Sequence, residues 1–96
     1  MSIQERVLAL TCSLIERKSV TPDDAGCQEI IGSRLRNVGF QIQEFEAHGV
    51  RNLWASIGNN GNHLLFAGHT DVVPPGNLEE WDSHPFAPTL REGKLF

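Results

Sequence analysis

The run Leu64-Leu65-Phe66-Ala67 limits what this chain can fold into more than any other feature. In a strand, successive side chains point to opposite faces, so four apolar residues in a row leave neither face suited to water. Such a segment needs neighbouring strands along its edges and cover over both faces. That requirement predicts a layered α/β domain. The run continues into Gly68-His69-Thr70-Asp71-Val72-Val73 and then Pro74-Pro75-Gly76, where proline removes the ladder donor and ends any central strand.

The preceding residues supply helices and further strands. Ile3, Val7, Leu10 and Leu14 recur at spacings of three and four, with Leu8 and Ile15 widening the stripe, which predicts a helix over residues 3–17. Ser2 and Glu5 fit a capping box, and Arg17 and Lys18 suit the negative end of the helix dipole. A second helix is predicted to start at Thr21-Pro22-Asp23-Asp24, with Thr21 as N-cap and Pro22 in the first helical position. Ile30, Ile31, Leu35 and Val38 form its buried stripe, and Gly39 ends it. Residues 40–45 and a segment with Leu53, Ala55 and Ile57 on one face read as strands, with Gly58-Asn59-Asn60-Gly61-Asn62 as turn chemistry. Residues 74–92 read as a long loop of the kind that often serves function. Gly93-Lys94-Leu95-Phe96 reads as a turn into a new strand, an unfinished element that predicts an incomplete domain.

Composition removes several classes of function. The chain is 40% hydrophobic with a net charge of −4 and scattered basic residues, which argues against disorder and against nucleic acid as a partner. No apolar run reaches the roughly 20 residues of a membrane span, and the first residues lack the basic-then-apolar pattern of an export signal. A cytoplasmic location without a membrane partner is therefore expected, with Cys12 and Cys27 as free thiols on helix faces. Neither cysteine belongs to a C-x-x-C pair, and there is no nucleophile elbow or phosphate-binding glycine loop.

The chemistry concentrates on His69 and Asp71. Strand periodicity puts both side chains on one side, and open α/β sheets bind ligands beyond the carboxyl ends of their strands. A neutral imidazole is a good zinc ligand, and a carboxylate on its other ring nitrogen fixes the tautomer and raises its basicity. Asp71 serves in that way if the strand end bends towards the ring. Without a metal, the same residues read as a strand-end histidine hydrogen-bonded to a turn aspartate. His48, His63 and His84 read as turn or loop residues with local partners, and no spacing joins His63 or His84 to His69 in a zinc site. Trp54 is expected to pack on a sheet face and Trp81 to pack the long loop, with Glu79, Glu80 and Asp82 as solvated surface.

Three blocks carry a family resemblance: Ser19-Val20-Thr21-Pro22-Asp23-Asp24-Ala25-Gly26-Cys27-Gln28, Asn52-Leu53-Trp54-Ala55, and Phe66-Ala67-Gly68-His69-Thr70-Asp71-Val72-Val73-Pro74-Pro75-Gly76. With them the chain resembles the succinyl-diaminopimelate desuccinylase family, within the zinc aminoacylase and carboxypeptidase group. The last block marks the wider group, and the first is more particular to the desuccinylases. Trp81, Pro85-Phe86 and Pro88 also sit where that family has them. The resemblance implies a zinc-exopeptidase-like α/β catalytic domain, with two helices followed by strands of a mixed sheet covered on both faces. Residues 1–96 would be its amino-terminal portion, and the rest of the catalytic domain and a dimerisation domain would lie elsewhere.

The resemblance further implies a cytoplasmic homodimer acting on a small N-acyl amino acid. Two zinc ions per subunit, replaceable by cobalt, would support hydrolysis of N-succinyl-LL-2,6-diaminopimelate to succinate and LL-2,6-diaminopimelate in lysine and diaminopimelate biosynthesis. His69 corresponds to a metal ligand, and Asp71 to the family's catalytic aspartate, which orients that histidine. The family's Gly-Arg-Gly-x-x-Asp-Met-Lys segment, with the bridging aspartate, is expected just after Phe96, and the glutamate pair beyond it. The 96 residues alone are therefore expected to be inactive. A related deacylase such as an acetylornithine deacetylase, a carboxypeptidase, or a non-catalytic binding module of the same fold stand as alternatives.

Overall fold

A computed structural model describes residues 1–96. Helix α1 spans Ile3–Ile15. The Ser2 hydroxyl accepts from the Glu5 N–H at 3.1 Å, and the Glu5 carboxylate accepts from the Ser2 N–H at 2.7 Å. This reciprocal capping box satisfies two donors at the helix start, as the sequence predicts. The helix ends before Arg17 and Lys18, which lie beyond its last turn.

Helix α2 spans Cys27–Asn37, so the predicted start at Thr21 is incorrect. Thr21 is engaged elsewhere: its N–H donates to the Val72 carbonyl at 3.0 Å, and the Val72 N–H donates to the Ser19 carbonyl at 2.8 Å. These bonds form a parallel bridge between Val20 and Val72, and the Thr21 hydroxyl is turned to Asp71 and the Val72 carbonyl, away from the N–H groups a cap would serve. Ala25 and Gly26 take positive φ values of 54° and 89° before the helix begins. Asp24 performs the capping expected of Thr21, accepting from the Gln28 N–H at 2.9 Å. At the other end Gly39 has φ of 100°. Its N–H donates to Arg36 at 3.0 Å and that of Phe40 to Leu35 at 3.0 Å. This is a Schellman closure with glycine in the left-handed position, so the predicted stop is correct.

Strands β1 (Gln41–Ala47) and β2 (Val50–Ser56) pair antiparallel with Ala47 opposite Val50. The two residues between them, His48 and Gly49, have φ of 54° and 79°. Positive φ at both positions is the requirement of a tight type I′ turn. Leu53 and Ala55 share the half-buried face of β2, as predicted, and Leu53 lies against Gly32 of α2. The Gln28 amide of α2 donates to the Arg51 carbonyl at 2.8 Å, which fixes the helix on the hairpin. Trp54, on the other face, remains half exposed. The loop predicted over residues 74–92 ends earlier, because Leu90–Arg91 form a strand; it holds one short 3-10 turn, Leu78–Glu80, and Trp81 packs it by donating from its indole N–H to the Pro75 carbonyl at 2.9 Å. The unfinished strand expected at residues 93–96 pairs back: β3 (Leu90–Arg91) and β4 (Lys94–Leu95) form a small hairpin.

The structure is that of a partial α/β domain. Its sheets are two antiparallel hairpins, and the Val20–Val72 bridge is the one parallel pairing, so the mixed sheet covered on both faces is not formed here. Residues 64–67 are not a strand. No strand of either hairpin lies along this run, and the parallel bridge lies beyond it, so it has no ladder partner. Leu64, Leu65 and Phe66 are left 82%, 69% and 86% exposed. The radius of gyration is 15.8 Å, against about 12–13 Å for a compact domain of this length. Ser19, Cys27, Gln28 and Gly32 are the buried residues, so the interior is not closed. Cys12 and Cys27 are free thiols, as expected. No helix is long and apolar enough to cross a membrane.

An exposed apolar segment with free backbone edges pairs readily with copies of itself. At micromolar concentration the isolated 96-residue chain is expected to sediment as a broad distribution of oligomers, and Leu65→Lys with Phe66→Lys to narrow it. A single monomeric boundary with sharp, dispersed amide signals from the unaltered chain would contradict this.

Candidate active-site strand end

His69 and Asp71 lie just before Val72, the residue that bridges to Val20. The His69 ring nitrogen Nδ1 is 3.0 Å from Asp71 Oδ1 and 3.0 Å from the Asp71 carbonyl oxygen. Residues two apart share one side of an extended chain, and here carboxylate and ring meet across it. With the proton on Nδ1, the ring donates to Asp71, and Nε2 keeps its lone pair for another partner. The contact is an ion pair only when the imidazole is protonated. The His69 side chain is 82% exposed and that of Asp71 is 40% exposed.

Asp71 has a second anchor. The Thr21 hydroxyl donates to Asp71 Oδ2 at 2.5 Å, a charge-assisted bond from a residue fifty positions earlier in the chain. Thr21 and the His69 ring, in that order, hold the Asp71 carboxyl below the usual aspartate range, against a smaller opposing effect of burial. The neighbouring backbone is tied to the same early segment. The Ser19 hydroxyl donates to the Thr70 carbonyl at 2.8 Å, and the Thr70 hydroxyl to Asp24 Oδ1 at 3.0 Å. Asp24 thus caps α2 with one oxygen and holds Thr70 with the other.

The sequence singles out His69 and Asp71, and the structure brings them together. It does not bring His63 or His84 to them, and no group of three His, Cys, Asp or Glu side chains converges anywhere in the chain. The His84 ring instead accepts from the Phe86 N–H at 3.2 Å, a local contact of the kind expected. Sequence reasoning missed Thr21, Asp24 and Ser19 as neighbours of the pair. The only signal was the compact polar block that contains them, which local propensity reads as a helix start. His69 and Thr70 also border a cavity of about 330 Å³, whose walls include Leu14, Ile15, Cys27 and Phe86.

No protein-family model matches the chain. Curated relatives match along nearly all of it. A succinyl-diaminopimelate desuccinylase of Thiobacillus denitrificans is 53% identical over 94 residues, covering 98% of this chain and 24% of the relative. That of Aromatoleum aromaticum is 55% identical over 87 residues, 91% of this chain and 23% of the relative. That of Bordetella petrii is 51% identical over all 96 residues and 25% of its own length. The chain spans about a quarter of the length of the curated relatives it matches.

The lowered Asp71 carboxyl gives a sign for its pH dependence. A group whose pKa falls on folding stabilises the fold above its unfolded pKa, and that contribution fades as pH drops through the folded value. Carbon-13 titration of the folded protein is expected to show Asp71 ionised below the ordinary aspartate range. Thr21→Val is expected to raise its midpoint more than His69→Ala does, following the order of the two hydrogen bonds. An unshifted midpoint in the unaltered protein would contradict this geometry.

Proposed function

We propose that the chain is the amino-terminal part of a metal-dependent amidohydrolase of the succinyl-diaminopimelate desuccinylase kind. Its parent is proposed to hydrolyse N-succinyl-LL-2,6-diaminopimelate to succinate and LL-2,6-diaminopimelate, in the cytoplasm, as a homodimer. Residues 1–96 would form the first portion of a zinc-exopeptidase-like catalytic domain. The observation that carries this reading is the His69–Asp71 contact, with Nδ1 on the carboxylate and Nε2 left outward. It occurs in a segment at least half identical to relatives bearing that name.

The donor chemistry at His69 and Asp71 fits a divalent metal. His69 would hold one ion through Nε2, and zinc, two per subunit and replaceable by cobalt, is the proposed occupant. Bound metal of this kind polarises an amide carbonyl and makes a water molecule acidic at neutral pH. The chain's own residues contribute orientation and proton placement. Asp71, kept ionised, accepts the His69 Nδ1–H and holds the ring in the tautomer that offers a lone pair at Nε2.

A catalytic zinc takes about three protein ligands, and this segment supplies His69 without converging partners. The other ligands and the group that takes the water's proton would come from the parent's remaining length. The 96-residue chain alone is accordingly proposed to be inactive.

In the full-length enzyme, His69→Ala is expected to remove about one metal equivalent per subunit and to lower turnover by at least about 100-fold. Asp71→Asn is expected to keep most of the metal while turnover falls about 10- to 100-fold. Metal analysis with a succinate-release assay checks both, and full metal content with normal turnover in the alanine variant would overturn the reading. Faster cleavage of N-acetylornithine than of the succinyl substrate would assign the parent to the deacetylases instead.

A further inference from the structure

We propose that Thr21 is a positioning residue for the His69–Asp71 pair, its hydroxyl fixing one carboxylate oxygen of Asp71 so that the other stays on the imidazole. This rests on the reading of His69 as a metal ligand. Within residues 1–96 the His69 ring is 82% exposed, so packing from this segment does little to set its orientation. Its hydrogen-bond partners are the carbonyl and the carboxylate of Asp71. A carboxylate turns easily about its last torsion, because sp³–sp² torsions have broad minima. A single hydrogen bond to a mobile ring would leave both groups free to swing together.

The Thr21 hydroxyl removes that freedom. It lies 2.5 Å from Asp71 Oδ2, while Oδ1 faces the ring at 3.0 Å, so the two carboxylate oxygens are divided between two donors. The hydroxyl has one proton, and its other acceptor, the Val72 carbonyl, is farther away at 3.2 Å. Thr21 can act as an anchor because its own backbone is fixed. The bridge to Val72 holds it, and the Ser19 and Asp24 side chains secure Thr70 beside it. The early segment therefore transmits a fixed geometry to an otherwise open ring. None of these side chains need touch substrate or metal to do so.

The test uses the full-length enzyme with Thr21→Val, which removes the hydroxyl and keeps the branched shape, and Thr21→Ser, which keeps the hydroxyl. Thr21→Val is expected to lower kcat about 10- to 100-fold with KM and metal content little changed, and Thr21→Ser to restore most of the rate. The second readout needs no activity. In the metal-free protein, at a pH where the ring is neutral, nitrogen-15 signals of His69 are expected to report the Nδ1–H form in the unaltered and serine proteins. A mixture of tautomers is expected in the valine protein. Thr21→Ala is read in the same way if the valine variant does not fold. Unchanged kcat and a single unchanged tautomer after loss of the hydroxyl would overturn the proposal, as would a serine variant as impaired as the valine one. If the unaltered enzyme fails to cleave the succinyl substrate, the functional reading falls, and the nitrogen signals still decide the role of Thr21.

Discussion

The backbone bridge between Val20 and Val72 is the constraint on which the site depends. Two hydrogen bonds join segments fifty residues apart and place the polar block 19–24 beside residues 69–71. Closing a loop of about that length costs roughly 3–4 kcal/mol of chain entropy. The two bridge bonds and the Ser19 bond to the Thr70 carbonyl, at about 1 kcal/mol each, are of the same order. The tie is thus balanced rather than strongly favourable. It gains from acting as one unit, since each side-chain bond requires the backbone registration that the bridge provides.

That registration explains a division of labour between two parts of the chain. The apolar run leads into the His69–Asp71 pair. The early segment carries no chemistry of its own and determines where that pair points. Asp71 is where the two meet, with one oxygen committed to each. Electrostatics follow from the same geometry, because two donors aimed at one carboxylate favour its ionised form. An ionised Asp71 is also what the histidine needs in order to keep its proton on the inner nitrogen.

Local features of the fold were legible in the sequence, and long-range ones were not. The capping box at Ser2 and Glu5, the left-handed stop at Gly39 and the turn at His48-Gly49 each depend on residues a few positions apart, and each forms as expected. Thr21 carries the same propensity to cap a helix, but its hydroxyl and N–H are taken by residues 71 and 72, which no local pattern reveals. The helix consequently starts six residues later, at Cys27. The run at residues 64–67 shows the converse: its composition suits a buried strand, but a strand also requires a partner, and none is paired with it here. For the site, the spacing of His69 and Asp71 was enough to suggest their pairing, whereas the anchor behind them was hidden by sequence separation.

The central claim is that His69 presents Nε2 to a metal while Asp71 holds Nδ1. Anomalous diffraction from crystals of the zinc-loaded full-length enzyme measures this directly. The account predicts an anomalous peak about 2.0–2.1 Å from His69 Nε2, with Nδ1 still in hydrogen-bond contact with Asp71 and Asp71 still held by Thr21. A zinc ion bound through Nδ1, or a metal centre in which His69 takes no part, would contradict it.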